Sequence, residues 1–114
     1  MPTVTWGLRL MGAVVMIPFA IDQLLDPMAW TSYVPAWLQR LLPGWPDGFM
    51  RVHAVGNIVI GLWLLSGLFT KGAAGVSVLW MSTIVVGTLL TGRWQIAARD
   101  LAVTLGLCAL FLAV

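Results

Sequence analysis

Long apolar stretches, separated by short polar or proline-rich connections, make up almost the whole chain. Four of these stretches reach the roughly 20 residues that a helix needs to cross a hydrocarbon core of about 30 Å. They cover residues 6–25, 50–69, 72–90 and 94–114. The pattern therefore predicts an all-α membrane protein, a single domain of residues 1–114 built as a bundle of four transmembrane helices.

The fourth stretch has little length to spare. Counted from Ile96 it holds about 19 residues, which give about 28 Å of helix and only just span the core. A start after Asp100 would leave about 14 residues, or about 21 Å, which is too short. Arg99 and Asp100 are therefore expected at or inside the membrane boundary.

Residues 26–49 form the one long connection, which is rich in tryptophan and proline without being strongly polar. Pro27 and Pro35 each suit the first turn of a short helix. Aromatic residues with polar tips favour the membrane interface, and here they are Trp30, Tyr33, Trp37 and Trp45. We predict a short interfacial helical cap between helices one and two. It is either a hydrophobic lid without chemistry or a cap that closes a ligand pocket.

The composition agrees with a membrane protein. Of the 114 residues 61% are hydrophobic and 9% charged, whereas about a quarter of a soluble domain is charged. So much apolar surface also excludes an intrinsically disordered chain. The net charge of +2 is scattered without a basic run, so nucleic acid is not an expected partner. The expected partners are the lipid bilayer and other membrane protein subunits, in a prokaryotic cytoplasmic membrane.

The first apolar stretch is expected to stay in the mature protein. No lysine or arginine precedes it, and Pro18 and Asp22 interrupt its end. A cleavable signal peptide has a positively charged start and a site of small residues after its apolar region. Pro18 is also expected to kink helix one, because it leaves the carbonyl of Val14 without a hydrogen bond.

Charged and polar side chains collect on one side of the predicted bundle, while the opposite side holds Arg9 and Lys71. Ionised groups in a membrane pair with one another, face the bundle interior or reach the interface. We therefore predict an ion network with a carboxylate–guanidinium contact between different helices. Its members are Asp22, Asp26, Arg51, Arg99 and Asp100. The network either locks the helices in register or handles a proton or a ligand.

His53 and Asn57 are four residues apart and share one face of helix two. A hydrogen bond from His53 to a quinone or a carboxylate is one interpretation, and an interior histidine satisfied by its neighbours is the other. The candidate ligand-binding residues are Asp22, Trp30, His53, Asn57 and Arg99.

One histidine and one cysteine, Cys108, cannot form a two-histidine metal site, a bis-histidine haem site or a disulfide within one chain. We predict no metal site and no intrinsic cofactor, with quinone as the candidate ligand. The chain shows no hydrolase motif and no phosphate-binding glycine loop, so its catalytic residues are unassigned and catalysis by the chain alone is not expected. A transporter needs a polar path through the membrane, and the only polar side chains in helix three are hydroxyls. A transporter is therefore disfavoured.

Small residues recur every four positions along helix four, at Ala98, Ala102 and Gly106. Small side chains let two membrane helices approach closely. This face is predicted to be a helix–helix contact.

Several short segments, in this order and spacing, make the chain resemble the DoxX-like family of small four-helix membrane proteins. They are Arg9-Leu10 with Gly12, FAIDQLLDPMAW at 19–30, YVPAWLQRLLP at 33–43, GNIVIGLWLLSGLFTKGAA at 56–74, and Ala98-Arg99-Asp100-Leu101. The resemblance covers most of the chain. Where the family usually has a glycine and a lysine before the aspartate-proline step, this chain has Ala20 and Gln23.

The resemblance implies a redox-associated role. Founding members of the family are membrane subunits of a thiosulfate:quinone oxidoreductase, and others accompany redox or detoxification systems. The expected function is a small membrane subunit or partner of a redox complex. A quinone-linked complex, in which this chain lines a quinone pocket, is the candidate. The alternative is a structural or assembly subunit of a larger membrane complex, without a ligand or activity of its own.

Membrane orientation receives two opposite indications. Lysine and arginine favour the cytoplasmic side, and the Asp22 side carries Arg40, Arg51, Arg93 and Arg99 against two cations on the other side. Three of those four arginines have acids nearby, whereas Arg9 and Lys71 have none. The family resemblance favours both termini in the cytoplasm, and this is the orientation we expect.

Overall fold

The computed structural model of the chain describes residues 2–114, with only the backbone of Pro2. This part of the chain contains long helices and no strand. The long helices are α1 (Pro2–Leu25), α3 (Asp47–Ser66), α4 (Thr70–Leu90) and α5 (Trp94–Ala113), and α2 (Ala36–Gln39) is a single short turn between α1 and α3. The prediction of an all-α bundle of four helices is confirmed.

Each long helix is apolar and long enough to cross a bilayer. At 1.5 Å per residue, even the helices of 20 residues reach about 30 Å. The chain is therefore an integral membrane protein. Pro18 lies inside α1, which continues to Leu25.

The second span lies nearer the N-terminus than the predicted range of 50–69. It begins at Asp47 and ends at Ser66 because Gly67 follows in the left-handed conformation, with φ of 73°. Glycine adopts this conformation without the steric cost that a β-carbon would add, and it commonly ends helices for that reason.

The helices pack as two close pairs, α1 with α3 and α4 with α5. A β-carbon at Gly61 of α3 would lie 2.6 Å from Cγ1 of Ile17 in α1, so glycine allows this close approach. The buried core fills the half of the bundle away from the connection between α1 and α3. Its members are Met16, Ile60, Leu64, Ala73, Ala74, Met81, Val103, Leu107 and Leu110. The half near that connection encloses a cavity.

The predicted small-residue contact along α5 is correct at one end and wrong at the other. A β-carbon at Gly106 would lie 2.7 Å from Cε of Met11, so this glycine does face α1. Ala98 and Ala102 are exposed. They lie nearer the cavity half of the bundle, where they contact no neighbouring helix closely enough to be buried.

The connection between α1 and α3 folds into short helical elements, as predicted. A 3-10 helix covers Pro27–Tyr33, and Pro35 precedes α2. The side chain of Gln39 donates hydrogen bonds to the carbonyls of Thr31 and Val34, at 3.3 and 3.0 Å, which ties the two elements together. We call residues 26–46 the cap. Its position at the membrane interface stays a prediction.

The cap rests on α4 at a residue without a side chain. A β-carbon at Gly87 would lie 3.2 Å from the carbonyl oxygen of Tyr33. Any larger residue at position 87 would have to push the cap backbone away. The cap therefore closes the bundle at the ends of α1 and α4.

Candidate functional site

A cavity of about 470 Å³ lies beneath the cap, between the two helix pairs. Its volume falls within the range of about 300–1,000 Å³ typical of small-molecule sites. Most of its wall is apolar or aromatic. The residues with polar atoms that line it include Gln23, Trp30, Tyr33, His53, Asn57, Trp80, Thr83, Thr88, Arg99 and Asp100.

The structure brings four of the five predicted ligand-binding residues to this cavity, namely Trp30, His53, Asn57 and Arg99. Asp22 does not line it. Its carboxylate accepts a hydrogen bond from Nε1 of Trp30 at 3.0 Å, which ties the cap to the end of α1. The ring of Trp30 packs edge-on against Phe19, and its indole N–H bonds to the exposed Asp22. Its role as an interfacial anchor stays a prediction.

Four side chains from three helices form a polar cluster in the cavity wall. They are Gln23 of α1, His53 and Asn57 of α3, and Trp80 of α4. Gln23 and Asn57 are only 4% and 6% exposed. Because an unpaired polar group is costly when buried, their hydrogen bonds to one another fix how these helices meet.

The hydrogen bonds of the cluster determine how each side-chain amide is oriented. The indole N–H of Trp80 can only donate, and it lies 2.6 Å from Oδ1 of Asn57. Nδ2 of Asn57 therefore turns the other way and donates toward Oε1 of Gln23 at 3.4 Å. Nε2 of Gln23 then lies 3.2 Å from the sulfur of Met50 and 3.3 Å from Nδ1 of His53.

This arrangement selects one tautomer of neutral His53. Its Nδ1 lies near two amide donors, Nε2 of Gln23 at 3.3 Å and Nδ2 of Asn57 at 3.4 Å, and near one acceptor, Oε1 of Gln23 at 3.4 Å. Because Oε1 of Gln23 already accepts from Asn57 and the two donors need an acceptor, Nδ1 is assigned as the acceptor. An imidazole nitrogen that accepts hydrogen bonds carries no proton, so the proton of the neutral ring lies on Nε2. Among the described residues, no hydrogen bond joins Nε2 to the protein. His53 thus supplies the cavity with a donor that has no partner of its own.

Aromatic rings hold the imidazole in place. Its centroid lies 4.9 Å from the ring of Trp80, with 26° between the planes, and 6.1 Å from the ring of Phe49. Trp80 reaches this position because Gly56 leaves room for it, since a β-carbon there would lie 2.5 Å from Cη2 of the indole. The donor on His53 is therefore fixed by rings as well as by hydrogen bonds.

Helix α5 contributes a charged pair to the cavity. Nε of Arg99 lies 3.2 Å from Oδ1 of Asp100, and the side chains are 47% and 4% exposed. The guanidinium also lies 4.7 Å from the ring centroid of Phe19 in α1, a cation–π contact between two helices. A buried carboxylate and a half-exposed guanidinium thus stand side by side in the wall.

The predicted ion network between helices is wrong for the described residues, because the ion pairs there join side chains of a single helix. Arg51 pairs with Asp47 one turn earlier in α3, at 3.0 Å, and both side chains are more than half exposed. Arg99 pairs with its neighbour Asp100. An acid on the same helix is closer to each arginine than any acid on another helix. Asp26 begins the 3-10 helix without a capping hydrogen bond from its side chain.

Two members of the polar cluster, Gln23 and Trp80, were not among the predicted site residues. An amide within a membrane span is expected to face the bundle interior, so the position of Gln23 in the first apolar stretch is a signal for this site. Trp80 lies in the most uniformly apolar span. Its contact with Asn57 depends on how α3 and α4 are rotated, which periodicity does not reveal.

Within residues 3–114 no three histidine, cysteine, aspartate or glutamate side chains come close enough together to hold a metal ion. The polar groups of the cavity are thus amides, an imidazole, indoles, a phenol, hydroxyls and one ion pair. No family model, no curated protein and no solved structure matches this chain. The family resemblance therefore rests on the short motifs quoted above.

Proposed function

We propose that this chain is a small membrane subunit of a redox complex and that it binds a quinone in the cavity beneath the cap. The observation that carries the proposal is the Nε2–H of His53, a donor held in an aromatic and apolar cavity without a partner in the described part of the chain. A quinone head group combines a flat ring with carbonyl acceptors, and it matches such a site in both respects.

The residues of the cavity fit this ligand. His53 donates a hydrogen bond to a head-group carbonyl, while Gln23 and Asn57 hold the imidazole in the donating tautomer. The ring of Trp80 supplies a flat apolar surface. The cap covers the cavity from one side. When bound, a quinone supplies the capacity to take up two electrons and two protons.

The source of the electrons is proposed to be another subunit, in keeping with the family resemblance. The chain would then act in catalysis only as part of the complex. We further propose that the complex lies in a prokaryotic cytoplasmic membrane with both termini of this chain in the cytoplasm. The cap would in that case face the opposite compartment.

A structural or assembly subunit is the second candidate, and one observation favours it. Every buried side-chain nitrogen and oxygen atom of the described residues has a hydrogen-bond partner. A polar cluster whose buried atoms are satisfied in this way, with only Nε2 of His53 left over, can hold helices in register without any ligand. The two functions predict different first effects of a substitution in the cluster. A quinone site loses quinone binding first, whereas a structural cluster loses stability or complex yield first.

The test uses the purified chain in lipid nanodiscs at a fixed ratio of quinone to lipid. Binding is followed by quenching of tryptophan fluorescence. His53→Phe keeps a ring between Phe49 and Trp80 but removes the donor, so we expect at least tenfold weaker binding with a melting temperature close to that of the wild type. The matched control is Val55→Phe, on the exposed face of α3.

The parent complex provides the second measurement, after it is identified by co-purification in mild detergent. A quinone site predicts that His53→Phe lowers quinone-dependent electron transfer while the yield of complex stays normal. A structural cluster predicts that the yield falls first. Normal turnover together with normal yield would contradict both functions of the cluster.

A further inference from the structure

Three residues of the cavity wall are exposed, namely Val52, Thr83 and Arg99, and the first two lie on the neighbouring helices α3 and α4. Val52 of α3 lines the cavity, yet it is 72% exposed on the outside of the bundle. Thr83 of α4 also lines the cavity and is exposed. A pair of residues that touches both the cavity and the outside marks a gap, which we call the α3–α4 gap.

Contacts between elements cross two other sides of the cavity. The cap forms one of them, where its Pro35 is buried and its Tyr33 lies against Gly87. Between α1 and α5, the guanidinium of Arg99 lies over the ring of Phe19. Trp80 joins α4 to His53 and Asn57 of α3 beside the gap. Among the described residues, no hydrogen bond, ion pair or ring contact joins the side chains of Val52 and Thr83 to each other.

The depth of the gap places it against lipid. Val52 lies about 7 Å along α3 from Asp47, and Thr83 lies about 10 Å from the end of α4 at Leu90, at 1.5 Å per residue. Both positions fall inside the predicted spans. One turn along each helix an apolar side chain is exposed, Val55 at 52% and Val86 at 54%, as expected for a surface that faces hydrocarbon, whereas the charged Arg51 beside Val52 pairs with Asp47 at the cap end of α3.

From these observations we infer that the cavity opens sideways into the bilayer through the α3–α4 gap and takes a lipid-soluble ligand with a long hydrocarbon tail. This inference rests on the proposed function and narrows its substrate class. The head group lies at His53, and the tail leaves between Val52 and Thr83 into the lipid. A ligand without a tail fills the cavity but gains nothing from the gap.

The test compares two quinones with the same head group, one without a tail and one with a decyl tail, in the nanodisc assay. Val52→Phe combined with Thr83→Phe narrows the gap. We expect at least tenfold weaker binding of the tailed quinone and a change of less than threefold for the tail-less one. Val55→Phe combined with Val86→Phe adds the same bulk outside the cavity, and both ligands should bind it as they bind the wild type.

Each other outcome contradicts a specific claim. If the narrowed variant binds the tailed quinone as well as the wild type does, the gap is not the exit, while the proposed quinone site remains. If it loses both quinones with an unchanged melting temperature, the added rings fill the cavity itself and the assignment of Val52 and Thr83 to a gap is wrong. If the wild type binds neither quinone, the proposed function fails and the inference fails with it.

Discussion

Arg9 of α1 donates a hydrogen bond of 2.7 Å from Nε to the carbonyl oxygen of Leu64 in α3. Its Nη2 donates to the carbonyl of Leu65 at 2.8 Å, and the guanidinium lies 3.9 Å from the ring centroid of Trp6. Carbonyls in the last turn of a helix have no partner within the helix and form its negative end. This cation, only 8% exposed, therefore binds the carboxyl end of α3.

Lys71 makes the equivalent contact at the carboxyl end of α5. Its Nζ donates to the carbonyls of Phe111 and Val114, at 3.1 and 3.2 Å, and lies 4.2 Å from the ring centroid of Phe111. Both cations on the side away from the cap thus interact with backbone carbonyls. No acidic side chain takes part in these contacts, so the pattern of charges in the sequence does not indicate them.

Loss of the Arg9 contact should destabilise the bundle markedly. Arg9→Met keeps much of the side-chain volume but removes both donors, leaving carbonyls of α3 without their partners. Hydrogen bonds to a charged group contribute about 1.5–3 kcal/mol each, so we expect a loss of about 2–4 kcal/mol in the free energy of unfolding. Denaturation in SDS followed by circular dichroism measures it. Lys71→Met, at an exposed position, should cost less than about 1 kcal/mol, and equal losses would contradict this account.

Replacement of Gly67 by alanine should destabilise the protein more than replacement of Gly92, a glycine of similar backbone conformation. Gly67 has φ of +73° and Gly92 has φ of +76°, so alanine is strained at both positions by about 1 kcal/mol. A β-carbon at Gly67 would also lie 2.8 Å from Nη2 of Arg9, whereas nothing lies within 4 Å at Gly92. Gly67→Ala should therefore lower the melting temperature more than Gly92→Ala does. In an Arg9→Met background this difference should disappear.

The number and type of the helices could be predicted because the thickness of the membrane fixes the length of each spanning helix. Stretches of that length are visible in the sequence as uninterrupted apolar residues. Errors appear where a boundary depends on one backbone conformation. The second span ends at Ser66 because Gly67 turns left-handed, and the hydrophobic run continues past it through Leu68 and Phe69 without any change in hydropathy.

The candidate site was predicted less completely than the fold. Residues such as His53 and Asn57 are recognisable because polar groups in a membrane span must face the interior. Which groups meet there depends on the rotation of each helix, and rotation is set by packing at positions such as Gly56 and Gly87. The prediction of ion pairs between helices was wrong for a related reason. Each arginine pairs with an acid close to it on its own helix, although acids on other helices lie at a similar depth in the membrane.

Arg99→Ala should destabilise the protein through the carboxylate of Asp100. That carboxylate is 4% exposed, and its ion-pair partner is Arg99. Removing one member of a buried pair leaves an uncompensated charge, and because Arg99 is half exposed we expect about 1–3 kcal/mol. Adding Asp100→Asn in the same chain should restore most of the loss. A double-mutant cycle measured by SDS denaturation checks this coupling.

The pair of Arg51 and Asp47 supplies the matched control for that cycle. Both of its side chains are more than half exposed, and exposed ion pairs contribute at most about 1 kcal/mol. Arg51→Ala should therefore change stability little. If Arg51→Ala and Arg99→Ala cost the same, burial of Asp100 is not the reason for the effect at Arg99.

The last prediction concerns the tautomer of the single histidine. Trp80→Phe keeps a ring against His53 but removes the N–H that lies 2.6 Å from Oδ1 of Asn57. The Asn57 amide can then turn over and offer its oxygen to Nδ1 of the imidazole, which would favour a proton on Nδ1. The ¹⁵N chemical shifts of the histidine ring distinguish the two tautomers, and with one histidine in the chain the assignment is unambiguous. We expect the Nε2–H form in the wild type and a mixture in Trp80→Phe, with weaker quinone binding in the same proportion.

Trp63→Phe also removes an indole donor, the one that bonds to the carbonyl of Leu68 at 2.7 Å, and it should leave the tautomer and the binding unchanged. An unaltered ¹⁵N spectrum in Trp80→Phe would mean that the indole does not orient the cluster.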